Sequence, residues 1–215
     1  MQGQSRAGHG SARHGTGVVL QSGEYALTMA EFPLPPATQR LRLRRFTAAD
    51  LDPFFAYQSL PDTARYLLNE PRSYTECMAR IAMYVDAGFS KPGDWAAFAI
   101  EAADKPGFLG EIALKWDLGA DKEPKTGEIG WTLTPAGRGN GYATEAAAAV
   151  LDLAFGQLNF HRVQARLDER NTASTAVCER LGMLREARLA ENYFLKGEWT
   201  TELIYAVLAR DWKAH

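Results

Sequence analysis

The chain has 215 residues, with 24 lysines and arginines against 26 aspartates and glutamates, for a formal net charge of −2. That balance gives no electrostatic reason to expect nucleic acid or an anionic membrane as partner, and no apolar run approaches the ~18–20 residues that span a bilayer. Cys77 and Cys178 lie far apart, which argues against a disulfide framework or a Cys-x-x-Cys metal site and suits a reducing cytoplasm. Of four histidines, His9, His14 and His215 lie near the ends, so no metal site built on histidines is expected. His161, in "NFHRV", falls at a helix-to-strand junction and reads as structural, so a Ser-His-Asp hydrolase would rest on a poor candidate.

Residues 1–34, rich in Gly, Ser and Gln at their start, are expected to be a disordered N-terminal extension, with "FPLPP" as an extended lead-in. The remaining 35–215 read as one domain. "LRLRRF" alternates Leu41 and Leu43 with Arg42 and Arg44, a half-buried strand. Thr47 and Asp50 form a capping-box-like helix start, with Leu51, Phe54 and Phe55 facing inward. In "SYTECMARIAMYVDAG" the positions Met78, Ile81, Ala82 and Val85 have helical spacing, closed by Gly88. "WAAFAIEA" and "FLGEIALKW" are strands around the turn "DKPG", and "GEIGWTLT" is a strand ended by Pro135. A helix from Tyr142 to about Gln157 follows, then a strand "RVQARLDE" and a helix "NTASTAVCERLG". Two strands, "LREARLAENYF" and "TELIYAVLA", lie around "KGEW". The order β, α, α, β, β, β, α, β, α, β, β implies a mixed α/β fold, a sheet with helices packed on it.

The segment "TPAGRGNGYATEAAAAV" joins a strand to a helix through three glycines and an arginine. The first N–H groups of a helix lack intrahelical partners and carry the positive end of its dipole. Glycines before them remove the Cβ atoms that would hold a ligand off. Strand, Gly-rich loop and helix together make a phosphate cradle, and Arg138 adds a permanent positive charge. "GNGYAT" fits a dinucleotide fingerprint poorly: its sixth position is Thr144, at least three strands precede it, and the nearest strand-end acid, Asp168, lies too far on. A Walker A loop would need Gly-Lys-Ser/Thr. A helix-capping turn with no ligand is the remaining alternative.

Arg138, Gly141 and Ala143 fit the pattern R-x-x-G-x-A, and the loop here resembles the acyl-CoA-binding motif of the GNAT N-acetyltransferase superfamily. The resemblance extends from about Leu41 to Trp212, through "LRLRRFTAADL", "GEIGWTLTP", "RGNGYATEA", "NTASTAVCERLGM" and "KGEWTTELIYAVLARDW" in the expected order, and is most similar to the RimJ/RimL-like branch. It implies the GNAT acyl-CoA N-acyltransferase fold, a central, mostly antiparallel sheet flanked by helices. It also implies acetyl-CoA as cosubstrate with no metal, and direct transfer to a primary amine on a protein N-terminus or a small molecule. A non-catalytic acyl-CoA-binding module is the alternative from another class, and an NAD-type oxidoreductase a more distant one. Neither nucleic acid nor membrane is implied as partner, and the state could be monomer or homodimer.

By the same resemblance, the backbone of Trp131, Leu133 and Thr134 holds the pantetheine arm, with an N–H near Leu133 as oxyanion donor. Arg138, Gly139, Asn140, Gly141, Tyr142, Ala143 and Thr144 hold the pyrophosphate. As side chains, Trp131 and Leu133 read as core. Asn171 and Ser174 match N-x-x-S, in which the asparagine contacts pantetheine and the serine protonates the departing thiolate; plain helix capping is the other reading of Ser174. Cys178 stands where many superfamily members carry a tyrosine acid, and reads as a small core residue. Glu111 and Glu128, on central strands, are the candidate bases. A lysine amine must give up ~3.4 pKa units, about 4.6 kcal/mol, to be neutral at pH 7, against about 1 kcal/mol for an α-amine, so a weak or water-mediated base suits an α-amine or a low-pKa amine better than lysine. Met183 replaces a usual aromatic, and Thr201, beside Glu202, stands where the branch often has aspartate.

Overall fold

The computed structural model describes residues 32–86, 88–105, 107–117 and 125–213. Its centre is a seven-stranded sheet: β1 (Leu41–Arg45), β2 (Trp95–Ala102), β3 (Phe108–Trp116), β4 (Lys125–Leu133), β5 (Phe160–Asp168), β6 (Leu184–Leu195) and β7 (Glu198–Leu208). The order is β1-β2-β3-β4-β5-β7-β6, and β4–β5 is the one parallel pair in it. The helices are α1 (Leu51–Gln58), α2 (Pro61–Ala64), α3 (Tyr74–Asp86), α4 (Tyr142–Gly156) and α5 (Thr172–Arg180). The mixed, mostly antiparallel sheet expected from the sequence is therefore present. The one described element that the sequence reading lacked is the short α2, too brief to carry a period.

The two sheet faces differ in kind. Strand β2 turns Phe98 and Ile100 to one side, where they meet Ile112, Leu114 and Ile129 under α4. Its Ala97 and Ala99 face the other side, leaving room for Phe46, Phe54, Tyr57 and Tyr84 from the α1–α3 layer. Helix α4 buries five alanines between Ala143 and Ala149 along with Val150, Leu151 and Leu153, and small side chains let its axis lie close to the sheet. The helical start at Thr47 follows its sequence signal: the Thr47 N–H donates to Asp50 Oδ2 at 2.8 Å, completing the capping box. Asp50 is in turn gripped by both terminal nitrogens of Arg44 at 2.8 and 2.6 Å.

Two expectations need correction. The inward stripe of α3 is Cys77, Ile81 and Tyr84, whereas Met78 and Val85 are 51% and 42% exposed and Ala82 is exposed as well. The phase is set by Tyr84, whose ring packs against Phe46 and Phe54, and an apolar pattern that ignores tyrosine slips by one residue. The domain also begins before position 35. Phe32 is 1% exposed and packs against Phe89 and Phe98, while the Arg45 guanidinium donates to its carbonyl. Residues 1–31 lie outside the described residues. Phe32→Ala should cost about 3–5 kcal/mol of unfolding free energy, as for a buried phenylalanine; a dispensable extension would give no shift of the urea midpoint.

Candidate functional site

Strands β4 and β5 pair for only a short stretch, from Lys125 opposite Phe160 to Glu128 opposite Gln164. Beyond that, β4 stays on β3, with the Thr134 N–H on Leu109 O at 2.9 Å, while β5 stays on β7 as far as Asp168 and Glu202. Peptide groups in an antiparallel pair alternate between facing the partner and facing away. Since Thr134 and Thr132 face β3, the N–H and C=O groups of Trp131 and Leu133 face the gap.

The glycine loop closes one end of this gap. Gly141, the N-cap of α4, has φ 78°, and Gly139 has φ 77°, a left-handed region that side chains with a Cβ rarely adopt. The first α4 bond runs from the Glu145 N–H to Gly141 O, so the N–H groups of Tyr142, Ala143 and Thr144 have no intrahelical acceptor. Side chains hold the loop in shape: Thr134 Oγ1 accepts from the Gly137 N–H at 3.2 Å, and Asn140 Nδ2 donates to Ala136 O and Arg138 O at 3.2 and 2.9 Å.

A groove of about 990 Å³ runs along this loop and α4. Of the expected cofactor residues, Trp131, Leu133, Arg138, Gly139, Gly141, Tyr142, Ala143, Thr144 and Asn171 line it. Thr134 and Asn140 do not, and serve instead as the loop's internal ties. Thr144 Oγ1 is buried in the groove wall without a hydrogen-bond partner. Arg138 reaches across the groove, pairing with Asp62 and donating to Thr63 Oγ1 at 3.3 Å and to Leu133 O at 3.2 Å. Arg40 was not singled out from the sequence. Its backbone N–H and Nε bind Glu145 at 2.8 and 2.7 Å, its Nη1 donates to Asn140 O at 3.0 Å, and its guanidinium lies 5.1 Å above the Tyr142 ring. A contact across about a hundred residues leaves no trace in local spacing.

On the opposite face of the sheet lies a second cavity of about 250 Å³, whose walls include Glu111, Glu128, Asn171 and Ser174. The groove and the cavity share Tyr66, Leu67, Trp131, Thr132, Asn171 and Ser174 in their walls, so they meet where β4 and β5 part. Glu111 sits on β3 directly opposite Thr132 and is 8% exposed. Its Oε1 accepts from Tyr57 Oη at 3.1 Å and from Gln58 Nε2 at 2.8 Å, and its Oε2 has no hydrogen bond. Burial holds its pKa above the ordinary carboxylate range, against the opposing pull of the Tyr84 hydroxyl and the Arg80 charge. Glu128 pairs with Lys115 on β3, four positions further along the same face and so roughly 13 Å from Glu111. Burial raises its pKa as well, opposed first by Lys115.

The helix α5 is capped by Asn171, whose Oδ1 accepts from the Ser174 N–H at 3.1 Å. That contact uses the serine's backbone and leaves its hydroxyl uncommitted to the cap. Cys178 is fully buried, and burial pushes its thiol up to about 12, which makes it an inert core residue. His161 is exposed and lines neither space. Glu202 is held by Arg166 at 2.8 Å through both oxygens and by Asn192 Nδ2 at 2.7 Å. Among the described residues no cluster of His, Cys, Asp and Glu could hold a metal, and no helix is long and apolar enough to cross a membrane.

Residues 40–184 match the family model described as an acetyltransferase (GNAT) domain. YnaD of Bacillus subtilis, an uncharacterized N-acetyltransferase, is 30% identical over 176 residues that cover 81% of this chain and 97% of YnaD. Among solved structures, a GNAT-family acetyltransferase from Bacillus anthracis superposes with a TM-score of 0.72 at 26% identity, covering 83% of this chain and 99% of that one. RimL, a ribosomal L7/L12 α-N-protein acetyltransferase in complex with coenzyme A, gives 0.66 at 16% identity, covering 82% of this chain and 98% of that one, a likeness of fold alone.

Two pairs of variants separate the roles at this junction. Asn171→Ala should lower stability by about 1 kcal/mol through loss of the cap, whereas Ser174→Ala should leave the melting temperature within a degree or two. A matching loss of stability in both would mean that the serine is structural. Arg138→Gln should weaken coenzyme A binding about tenfold or more in a calorimetric titration, by removal of a charge-assisted bond. Asp62→Asn should tighten it by up to about fivefold, the worth of an exposed ion pair that Arg138 must leave. Unchanged affinity in both variants would show that Arg138 stays on α2 when the ligand binds.

Proposed function

The chain belongs to the GNAT family of acyl-CoA-dependent N-acetyltransferases, and on that premise we propose that it transfers acetyl from acetyl-CoA to a primary amine, either a protein N-terminal α-amine or an amine of a small molecule. The observation that carries this reading is the meeting of groove and cavity at Trp131, Thr132, Asn171 and Ser174, with the Glu111 carboxylate across from Thr132. The cosubstrate lies along the groove, with its pyrophosphate on the N–H groups at the start of α4 and its arm against the free edge of β4. The amine enters from the cavity.

At the junction each group has a distinct task. The Leu133 N–H, which faces the gap, stabilises the oxyanion that forms as nitrogen attacks the thioester carbonyl. Glu111 takes the amine proton, directly or through one water. Its raised pKa brings its proton affinity nearer that of the amine and so lessens the uphill transfer. Ser174 donates a hydrogen bond to the departing thiolate and relays to it a proton from water, while Glu111 returns the amine proton to solvent. Glu128, deeper along the face, contributes charge that favours a cationic acceptor in the cavity. The pairing of Asn171 with Ser174 supports a place in the RimJ/RimL-like branch. Both cysteines are buried and free, in keeping with the reducing cytoplasm.

The test is thiol release from acetyl-CoA with N-terminal peptides, lysine peptides, polyamines, aminoglycosides and amino acids, followed as a pH profile. Glu111 must be unprotonated to take the proton of an amine that enters as its cation. Log kcat/KM should therefore climb with slope one below the Glu111 pKa and level off between that value and the amine pKa. Glu111→Gln should lose about 10²–10³ in kcat/KM at neutral pH and climb with slope one up to the amine pKa, with no plateau. A variant that keeps the plateau would remove Glu111 as the base.

A further inference from the structure

The cavity on the α1–α3 side carries an unmet hydrogen-bonding demand of each sign. Glu111 Oε2 is buried with no hydrogen-bond partner, and Arg72 Nε, in the wall of the same cavity, is buried with none either. Nine in ten or more buried polar groups in native proteins are paired, and an unpaired one is costly. The two residues bring a guanidinium and a carboxylate to the walls of one space of about 250 Å³, which suits a ligand that carries both a donor and an acceptor.

Apart from Glu128, roughly 13 Å along the sheet from Glu111, the other charged groups of the cavity are already committed. Asp168 accepts from the backbone N–H, Nε and Nη2 of Arg170 at 2.9, 2.9 and 2.7 Å, and Arg166 is spent on Glu202. Arg72 is different. Its backbone N–H donates to Gln58 O at 3.0 Å and its Nη2 to Asn69 Oδ1 at 3.0 Å. These partners are neutral, so they fix the guanidinium in place without cancelling its charge. Arg80 lines the same cavity, tied through Nε to Tyr84 Oη at 2.9 Å, again a neutral partner. One wall of the cavity thus offers two guanidinium groups whose hydrogen-bond partners carry no charge, and Glu111 stands on β3 opposite Thr132.

We propose that the acceptor is a small zwitterion of amino-acid type, whose amine sits at Glu111 beside Thr132 and whose carboxylate pairs with Arg72. This rests on the reading of the cavity as the acceptor site. A polyamine would leave Arg72 unpaired and face two like charges. A peptide N-terminus presents an amide where an amino acid presents a carboxylate, and so forfeits a charge-assisted bond. The space, about eight times a water's share of ~30 Å³, suits a free small molecule.

The experiment is a calorimetric titration of the protein saturated with CoA, which cannot turn over. The ligands are glycine, β-alanine, 4-aminobutanoate, L-methionine and L-phenylalanine, each against its amide. At least one acid should bind about 10- to 100-fold more tightly than its amide, the worth of a hydrogen bond to a charged group, and the best chain length reports the distance from amine to carboxylate. Arg72→Gln should bring acid and amide within about twofold through loss on the acid, with CoA affinity in the same variant as the check on folding. Equal binding of acids and amides by the unaltered protein, tighter binding of the amides, or binding of neither overturns the proposal without recourse to any variant. Thiol release from acetyl-CoA with the same ligands tells the two readings apart. Acids that bind without reacting keep the ligand class and sink the catalytic reading. Turnover of acids and amides alike keeps catalysis and sinks the ligand class.

Discussion

The parting of β4 from β5 is the constraint on which the rest of this structure depends. Two parallel strands pair as far as Glu128 and Gln164, and then each follows its antiparallel neighbour. Peptide groups beyond that point cannot be left dry and unpaired, so the freed edge of β4 must face either water or a ligand running along it like a further strand. Leu133 O already takes Arg138 Nε at 3.2 Å, while its N–H remains for something else. The glycine loop, the groove and the cavity are arranged around that edge.

The same parting explains why the two ligand spaces communicate. A continuous sheet would separate the α4 face from the α1–α3 face, and a thioester on one side could not meet an amine on the other. Where the sheet opens, Thr132 and Ser174 border both spaces. The segment around α2 bridges the opening from outside. Asp62 is tied to Arg138 of the glycine loop, and Lys196, at the turn between β6 and β7, donates to the carbonyls of Ala64 and Leu67. Tyr66 lies beneath the Arg170 guanidinium at 5.9 Å. Elements far apart in sequence therefore meet on one short stretch that borders both spaces.

Features that rest on local chemistry were legible in the sequence. The Thr47–Asp50 capping box, the bounds of β2 and β3, and the strand-loop-helix at Gly139–Gly141 all carry their cause within a few residues. The features that were not legible depend on distant partners. The phase of α3 is set by Tyr84 meeting Phe46 and Phe54, and Arg40 gains its place from Glu145 and Tyr142 on another element. Arg72 gains its place from Gln58 and Asn69, which fold back from the preceding helix and loop. Phe32 was assigned to a tail because its neighbours are Pro and polar residues, and nothing nearby announces the Phe89 and Phe98 rings that receive it.

How the carboxylates are held separates Glu111, the base proposed above, from the others. Asp168 is gripped by Arg170, which keeps its pKa below the ordinary range despite burial. An acid so stabilised as an anion is a poor base, because it must lose that partnership to accept a proton. Glu111 is held by a tyrosine hydroxyl and a glutamine amide, which orient the carboxylate without cancelling its charge, and burial then raises its proton affinity. The arrangement has a cost to the fold. A carboxylate whose pKa is higher folded than unfolded takes up more protons in the native state, so ionising it removes stability as pH rises through the folded value. The burial that raises the proton affinity of Glu111 therefore works against the fold wherever the carboxylate is ionised.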